Sequence, residues 1–452
     1  MPLPGSFPKA SWYDEVKRGF DFYHQFKPAN LTPPAVSPVV EYFRSRAPEA
    51  LVIIPSKSVP GPAGMSFRLA PVSIGLQTGA KPASTSFVKS WQSLDGMATG
   101  ILLSDMANGG VHFSPVKGSS RRIAQLKHPA SASRCDLNGN GRPDLVIAEL
   151  GSFNPADHDL GRVIWVADID DEQPAPAVTL IEGIGRVADV QPADFDGDGD
   201  IDLVVAEFGW HKTGRILLLR NGNPDQKPTF TLEVIDPRPG TIHVPVADLN
   251  NDGHPDFVAI ISQEFEVIEA FINRGDGTFE KQTINPPQDP AFGSSGIQLV
   301  DLDQDGDLDV VSTNGDMFDS FLIKPYHGIR WLENKGTYPF IAHQLTTFPG
   351  AHRALAGDLD GDGDLDLVAT AFLPASSRGT SDGKQLDSII WLENIKGEFI
   401  RHSLETGNCI HATLDLADFD ADGDLDFVVG EFRDNGTVDQ SAATIWWNDR
   451  AK

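Results

Sequence analysis

Carboxylates recur at every second position in Asp358-Leu-Asp360-Gly-Asp362-Gly-Asp364-Leu-Asp366. Five like charges on one face of a strand would repel one another, so this alternation does not read as a strand. It reads as a loop curled around a hard cation, with oxygen ligands from loop positions 1, 3, 5 and 9 and a backbone carbonyl near 7. A glycine after position 5 permits the tight turn of a calcium loop. Zinc would ask for His or Cys, and the stretch has neither.

The pattern D-x-[DN]-x-[DN]-G-x-x-D occurs six times, and up to six Ca2+ ions are expected. The predicted ligands are Asp136, Asn138, Asn140 and Asp144 in the first loop, and Asp194, Asp196, Asp198 and Asp202 in the second. Asp248, Asn250, Asp252 and Asp256 form the third, and Asp301, Asp303, Asp305 and Asp309 the fourth. Asp358, Asp360, Asp362 and Asp366 form the fifth, and Asp418, Asp420, Asp422 and Asp426 the last. The Asp136 loop carries less charge and is expected to bind more weakly. Six copies suit bracing of a fold better than catalysis. Six calcium ions would bring the formal charge of −28 to about −16. That remaining acidity argues against nucleic-acid or anionic-membrane partners.

A second constellation lies five to eight residues before each loop, a distance that crosses a blade at about 3.3 Å per residue. His128, Arg186, His243, Ser295, His352 with Arg353, and His411 stand there. Composition would put about 0.6 histidines in those positions, and four are found. Thirteen residues after each loop start stand Glu149, Glu207 and Glu431, with Asn314 and the nearby Glu264 in two other repeats and Ala371 in the sixth. Imidazole, guanidinium and carboxylate groups at one mouth would suit an anion, a sugar or a transition metal. The blander expectation is that they satisfy strand ends and channel water. His158, Asp159, His211 and His327 fall on loops of the same face.

The elements that position these groups repeat with them. The loop starts are 53 to 60 residues apart, a period that points to a propeller or similar repeat architecture. A short apolar strand enters each loop and another leaves it. A third carries bulky residues and usually ends in Asn, as in Gly328-Ile-Arg-Trp-Leu-Glu-Asn334, and a fourth closes the unit. Four strands per unit with glycine at the turns describe a propeller blade. Tryptophans 165, 331, 391, 446 and 447 fall in third strands and are expected between blades. Residues 85–126 read as a further blade whose loop, at Leu94-Asp95-Gly96, lacks acidic ligands. The predicted fold is therefore all-β, a seven-bladed β-propeller of four-stranded antiparallel blades over residues 64–452. Strand 66–74 is expected to pair with the C-terminal blade and close the ring. Residues 1–50 read as a short helical segment with Trp12, Val16, Phe20 and Tyr23 on one face, and 51–63 as a linker. Cys135 and Cys409 read as buried thiols rather than a disulfide framework. No 18-residue apolar window exists, so no transmembrane span is expected.

On the acidic loops and the Trp-Leu-Glu-Asn strands, residues 64–452 resemble the FG-GAP/VCBS repeat family, the propeller type of integrin α-chain heads and many bacterial secreted proteins. The chain is also similar to bacterial VCBS-repeat proteins with a c-type-cytochrome-like N-terminal region, whose tail residues 7–49 resemble. The haem motif CxxCH is absent, so haem binding does not carry over. The resemblance implies a calcium-stabilised, secreted or periplasmic scaffold with a protein or carbohydrate ligand on the face opposite the calcium loops. Its opening residues MPLPGSFPKASWYDE do not read as a signal peptide, and a start upstream of Met1 would reconcile the two. Two alternatives follow from the same resemblance. One is a carbohydrate-active lyase or dehydratase using His243, His352 and His411 with Glu207 or Glu431 as base. The other is a partner of an electron-transfer cytochrome.

Overall fold

The computed structural model describes residues 1–26, 32–54, 56–61, 64–92, 99–171, 173–222, 228–378, 385–433 and 441–450. They form seven antiparallel sheets. Blade 1 comprises Thr85–Gln92, Thr99–Asp105, Gly110–Pro115 and Arg121–Gln125. Blades 2 to 6 repeat this meander from Pro129–Cys135 to Glu398–Thr406. In blade 4 the first strand is split into Thr241–His243 and Val246–Ala247 around Pro245. Blade 7 takes three strands from the C-terminal end, and its fourth is Phe67–Ser73, paired with Ser441–Asn448. Each first strand touches the first strands of both neighbours, so the ring of seven is closed around a central channel. The stretch Leu94-Asp95-Gly96 lies outside the described residues.

The core is divided among the blade interfaces. Second strands such as Asp144–Glu149 and Asp202–Glu207 are buried along their whole length, because both faces pack against other blades. Their near-continuous apolar runs follow from that double burial. Leu137, Val146, Val163 and Trp165 pack against Val190, Leu203, Val205 and Leu217 between blades 2 and 3. Phe419, Val428, Ile445 and Trp447 meet Val88, Ile101 and Leu103 across the closure between blades 7 and 1. Trp165, Trp391, Trp446 and Trp447 are buried, while Trp331 is half-buried against His343.

The N-terminal residues fold back onto the propeller. Helix α1 spans Trp12–Phe26 and helix α2 spans Val36–Arg44. Trp12, fully buried, stacks on Phe43 with ring centroids 4.1 Å apart, in a small core shared with Ala291 and Leu322 of the propeller. Lys324 Nζ donates to Ser6 O (2.7 Å), and the Leu3 amide donates to Asp289 (2.6 Å). Arg18 donates to Asp319 O in blade 5, while Phe22, one turn further on, meets Trp210 of blade 3 at 5.2 Å. Loops of two non-adjacent blades thus converge on one turn of α1, which lies over the face from which the first strands start. The chain then runs along the outer edges of blades 5 and 6, where Ser56 meets Thr347 and Val59 bonds to Arg401 O. No helix among the described residues is long and apolar enough to cross a membrane.

Candidate functional site

The six acidic loops share one hydrogen-bond scheme. The carboxylate at position 1 accepts the amide of the glycine at position 6, as Asp194 does from Gly199 (3.0 Å) and Asp358 from Gly363 (3.1 Å). That glycine has a left-handed φ of 80° to 101° in all six loops, which is why the residue type is fixed there. At position 5 the side-chain oxygen accepts the amide two residues on, as Asp198 does from Asp200 and Asp362 from Asp364. The position-9 carboxylate is buried and accepts two amides. Asp202 takes one from Phe195 (3.1 Å) and one from Asn221 (2.7 Å), the residue that ends the third strand. The recurrent Asn at that point also ties its side chain to the loop backbone, as Asn394 does to Leu365 O (3.1 Å).

Position 1, 3 and 9 oxygens lie within 4.8 Å of one another in four loops: Asp194, Asp196, Asp202; Asp301, Asp303, Asp309; Asp358, Asp360, Asp366; and Asp418, Asp420, Asp426. These clusters are able to chelate a divalent cation. The position-5 carboxylates, predicted as ligands, stand outside these tight sets. Among the described residues the Asp136 and Asp248 loops form no such three-carboxylate cluster. Burial, together with the neighbouring carboxylates, pushes Asp202 and Asp426 up to about 6 and Asp366 to about 7. A hard cation would relieve that crowding. The loops differ in how far protein cations already do so. Lys335 reaches Asp303 (3.0 Å) and Asp305 (3.1 Å), and Arg220 reaches Asp196 (3.2 Å).

At the other end of the first strands, the predicted groups divide. In blades 1 to 6 the first strand carries a register shift near its start, as between Val187 and Asp189 or between Ala351 and Arg353. Such a bulge re-aims the residue that follows. The residues five before the six loop starts are Ser131, Asp189, His243, Gly296, Arg353 and Thr413. Ser131 Oγ donates to Asp189 (3.1 Å), whose other oxygen is 3.8 Å from His243 Nδ1. Arg353 approaches His243 Nε2 at 3.5 Å. The imidazole thus turns N–H toward the carboxylate and its lone pair toward the guanidinium. Burial, and then Arg353, hold His243 below its ordinary value against the opposing pull of Asp189. Burial would raise Asp189, but His243 and the Val244 and Gln191 donors outweigh it. Asp415, paired with Lys89 at 3.0 Å, also faces Arg353.

The remaining predicted groups are committed elsewhere. Glu149 accepts the Lys127 amide and Arg162 Nε, both at 2.5 Å. Glu207 accepts the Gly185 amide (2.5 Å) and Arg215 Nε (2.6 Å), and Glu431 pairs with Arg433 and Thr444. Among the described residues no hydrogen bond or ion pair joins these glutamates to the channel histidines. His411 is 2% exposed and bonds through Nε2 to Glu405 (2.7 Å), on the outer strand of blade 6. His128 Nδ1 bonds to Met106 O, His352 Nδ1 to Ala412 O, and Ser295 Oγ to Ala351 O, each a tie between blades. His327 is buried rather than on a surface loop. His211 stacks on Trp210, and His158 bonds to Ser152.

An aromatic belt accompanies these groups. Phe153 of blade 2 stacks on Phe432 of blade 7 (5.9 Å), and Phe432 meets Phe372 of blade 6 (5.1 Å). Phe372 stacks on Phe318 of blade 5 (5.4 Å) and meets His352 edge-on (5.7 Å). Contacts that skip blade 1 place the belt across the channel mouth. Phe318 and Phe321 are exposed. Sequence reasoning missed these rings and the partners Asp189, Asp415 and Lys89. Their signals were fixed offsets: five before the loop start for Asp189, fourteen after it for Phe372 and Phe432, and seventeen after it for Phe153 and Phe318.

Fold and loops together define a seven-bladed β-propeller with FG-GAP-like repeats. Residues 136–205, 194–259 and 248–312 match the FG-GAP-like repeat family. No curated relative matches the chain. Among solved structures, a protein from Bacteroides uniformis provisionally described as a 6-phosphogluconolactonase is similar over 70% of this chain and 83% of its own. Its identity is 18% and the TM-score 0.43.

Proposed function

We propose that the protein is a calcium-braced binding scaffold of the cell exterior or periplasm. It holds a carbohydrate or protein ligand at the channel mouth, opposite the acidic loops. The observation that carries this reading is the belt Phe153–Phe432–Phe372–Phe318, set beside the Asp189–His243–Arg353 row. Ring faces beside a few fixed polar groups suit a sugar or an aromatic side chain. The oxygen-only loops suit calcium, and the weaker members of the set suit a calcium-rich compartment.

The test is a thermal-shift screen of oligosaccharides and peptides on the calcium-loaded protein, repeated on Phe432→Ala. Ligands that stabilise the wild type and not the variant support the reading. A hit equally strong in both would place binding elsewhere and overturn it.

The carbohydrate-active alternative has one observation in its favour. His243, neutral and oriented by Asp189, has the arrangement of a general base. Its predicted glutamate partners are engaged by arginines and its His411 by Glu405. That leaves His243, with Arg353 beside it, as the group to test. Turnover of a uronate-containing oligosaccharide that His243→Gln abolishes, at unchanged binding, would favour the enzyme. The cytochrome-partner alternative rests on residues 7–49, whose described part forms the α1–α2 cap.

A further inference from the structure

Arg186 stands just ahead of the first strand of blade 3 and is 8% exposed. Its buried Nε has no hydrogen-bond partner. No carboxylate among the described residues pairs with its guanidinium, and burial alone lowers its affinity for the proton, to about 10. The comparably buried Arg401 is instead tied to Asp387, Thr346, Thr347 and Ser58.

The groups around Arg186 cannot serve it. Glu207 is filled by Gly185 and Arg215, and Asp157 by the amides of His211, Lys212 and Thr213. The facing His158 accepts the Leu160 amide on Nδ1 and contacts Ser152 through Nε2, so it has no lone pair to offer. Phe208 lies under the guanidinium, 5.9 Å from its carbon, which leaves the N–H edge free. An arginine does not shed its proton, and a desolvated, unpaired one is costly. The planar fork matches an oxyanion in two parallel bonds.

We propose that Arg186 is the receptor for an oxyanion, the acidic group of a ligand bound between the blade 2 and blade 3 loops at the channel mouth. The proposal rests on the reading of that mouth as a ligand site. Carboxylate and phosphate share the required chemistry.

The test titrates the calcium-loaded protein with acetate and, separately, with inorganic phosphate at constant ionic strength, followed by calorimetric melting temperature and by 31P line width for phosphate. Saturable stabilisation by one of the two is expected, and the better binder distinguishes a carboxylate from a phosphate ligand. Arg186→Met should weaken that binding by tenfold or more. Arg186→Lys, which keeps the charge and loses the fork, should weaken it several-fold and stands in if the Met variant does not fold. Arg274→Met, a charge loss on an exposed turn, should change nothing. Absence of saturable binding, or unchanged affinity in both Arg186 variants, overturns the proposal. A ring-bearing ligand lost in Phe432→Ala and bound normally by Arg186→Met leaves the mouth reading standing and overturns only the oxyanion. Anion binding that needs Arg186, in a protein with no Phe432-dependent ligand, overturns the mouth reading instead.

Discussion

Asp366 shows how one carboxylate can serve two masters. Its oxygens accept the Leu359 and Asn394 amides, and it also belongs to a cluster with Asp358 and Asp360. Lys335 plays the cation's part in the neighbouring blade, so Lys335→Met should tighten calcium at the Asp301 loop a few-fold, as a competition titration would read. His352 behaves oppositely to a paired histidine. Burial first, then His243 and Arg353, push it down to about 4. The unfolded chain takes up this proton near pH 6.5. Stability is therefore unaffected above pH 6.5 and falls from there to about pH 4, by at most about 3 kcal/mol and less where channel water screens the charge. His352→Gln should flatten that limb in melting temperatures taken from pH 7 to 4.5. Glu207→Gln should cost about 2 kcal/mol in a urea titration. That is less than a wholly buried pair would cost, because Arg215 is 35% exposed.

At the scale of elements, the acidic loops and the Trp-Leu-Glu-Asn strands made the blades legible, because each strand end must supply an amide to a buried aspartate. The same logic explains why Asn follows Glu333 and Glu393. The mouth was less legible. A bulge near the start of the first strand in blades 1 to 6 changes which side chains face the channel. A count of five to eight residues back therefore mixed His243 and Arg353 with the inter-blade ties His128, Ser295 and His352. The glutamates at a fixed offset looked like a lining, yet that offset marks the end of a doubly buried strand, where an arginine neutralises each: Arg162 and Arg215 from the third strand for Glu149 and Glu207, and Arg433 two residues on for Glu431. The α1–α2 cap packs its small core against Ala291 and Leu322 of the propeller. Trp12→Ala should loosen it by about 3–4 kcal/mol. Hydrogen exchange should rise in residues 1–50 while the main calorimetric transition stays in place.

The whole molecule is a ring of seven interfaces with no free edge between first and last blades. A divalent cation held by the acidic clusters would act on it by mass action, each occupied site adding about 2.7 kcal/mol at a hundredfold excess over its Kd. Chelation should lower the melting temperature by more than any one loop substitution does, a comparison that calorimetry with and without chelator makes directly. The ring closes when Phe67–Ser73 meets Ser441–Asn448. That pairing sets a timetable for birth on the ribosome. The first partner is synthesised about 370 residues before the second, an interval of roughly 20–70 s at ordinary elongation rates. Throughout it Val88, Ile101 and Leu103 of blade 1 have no blade 7 to cover them. Until Ser441–Asn448 has been made, the nascent chain therefore carries an apolar blade face without its cover, and a message broken shortly upstream of Ser441 yields an open arc with a sticky end.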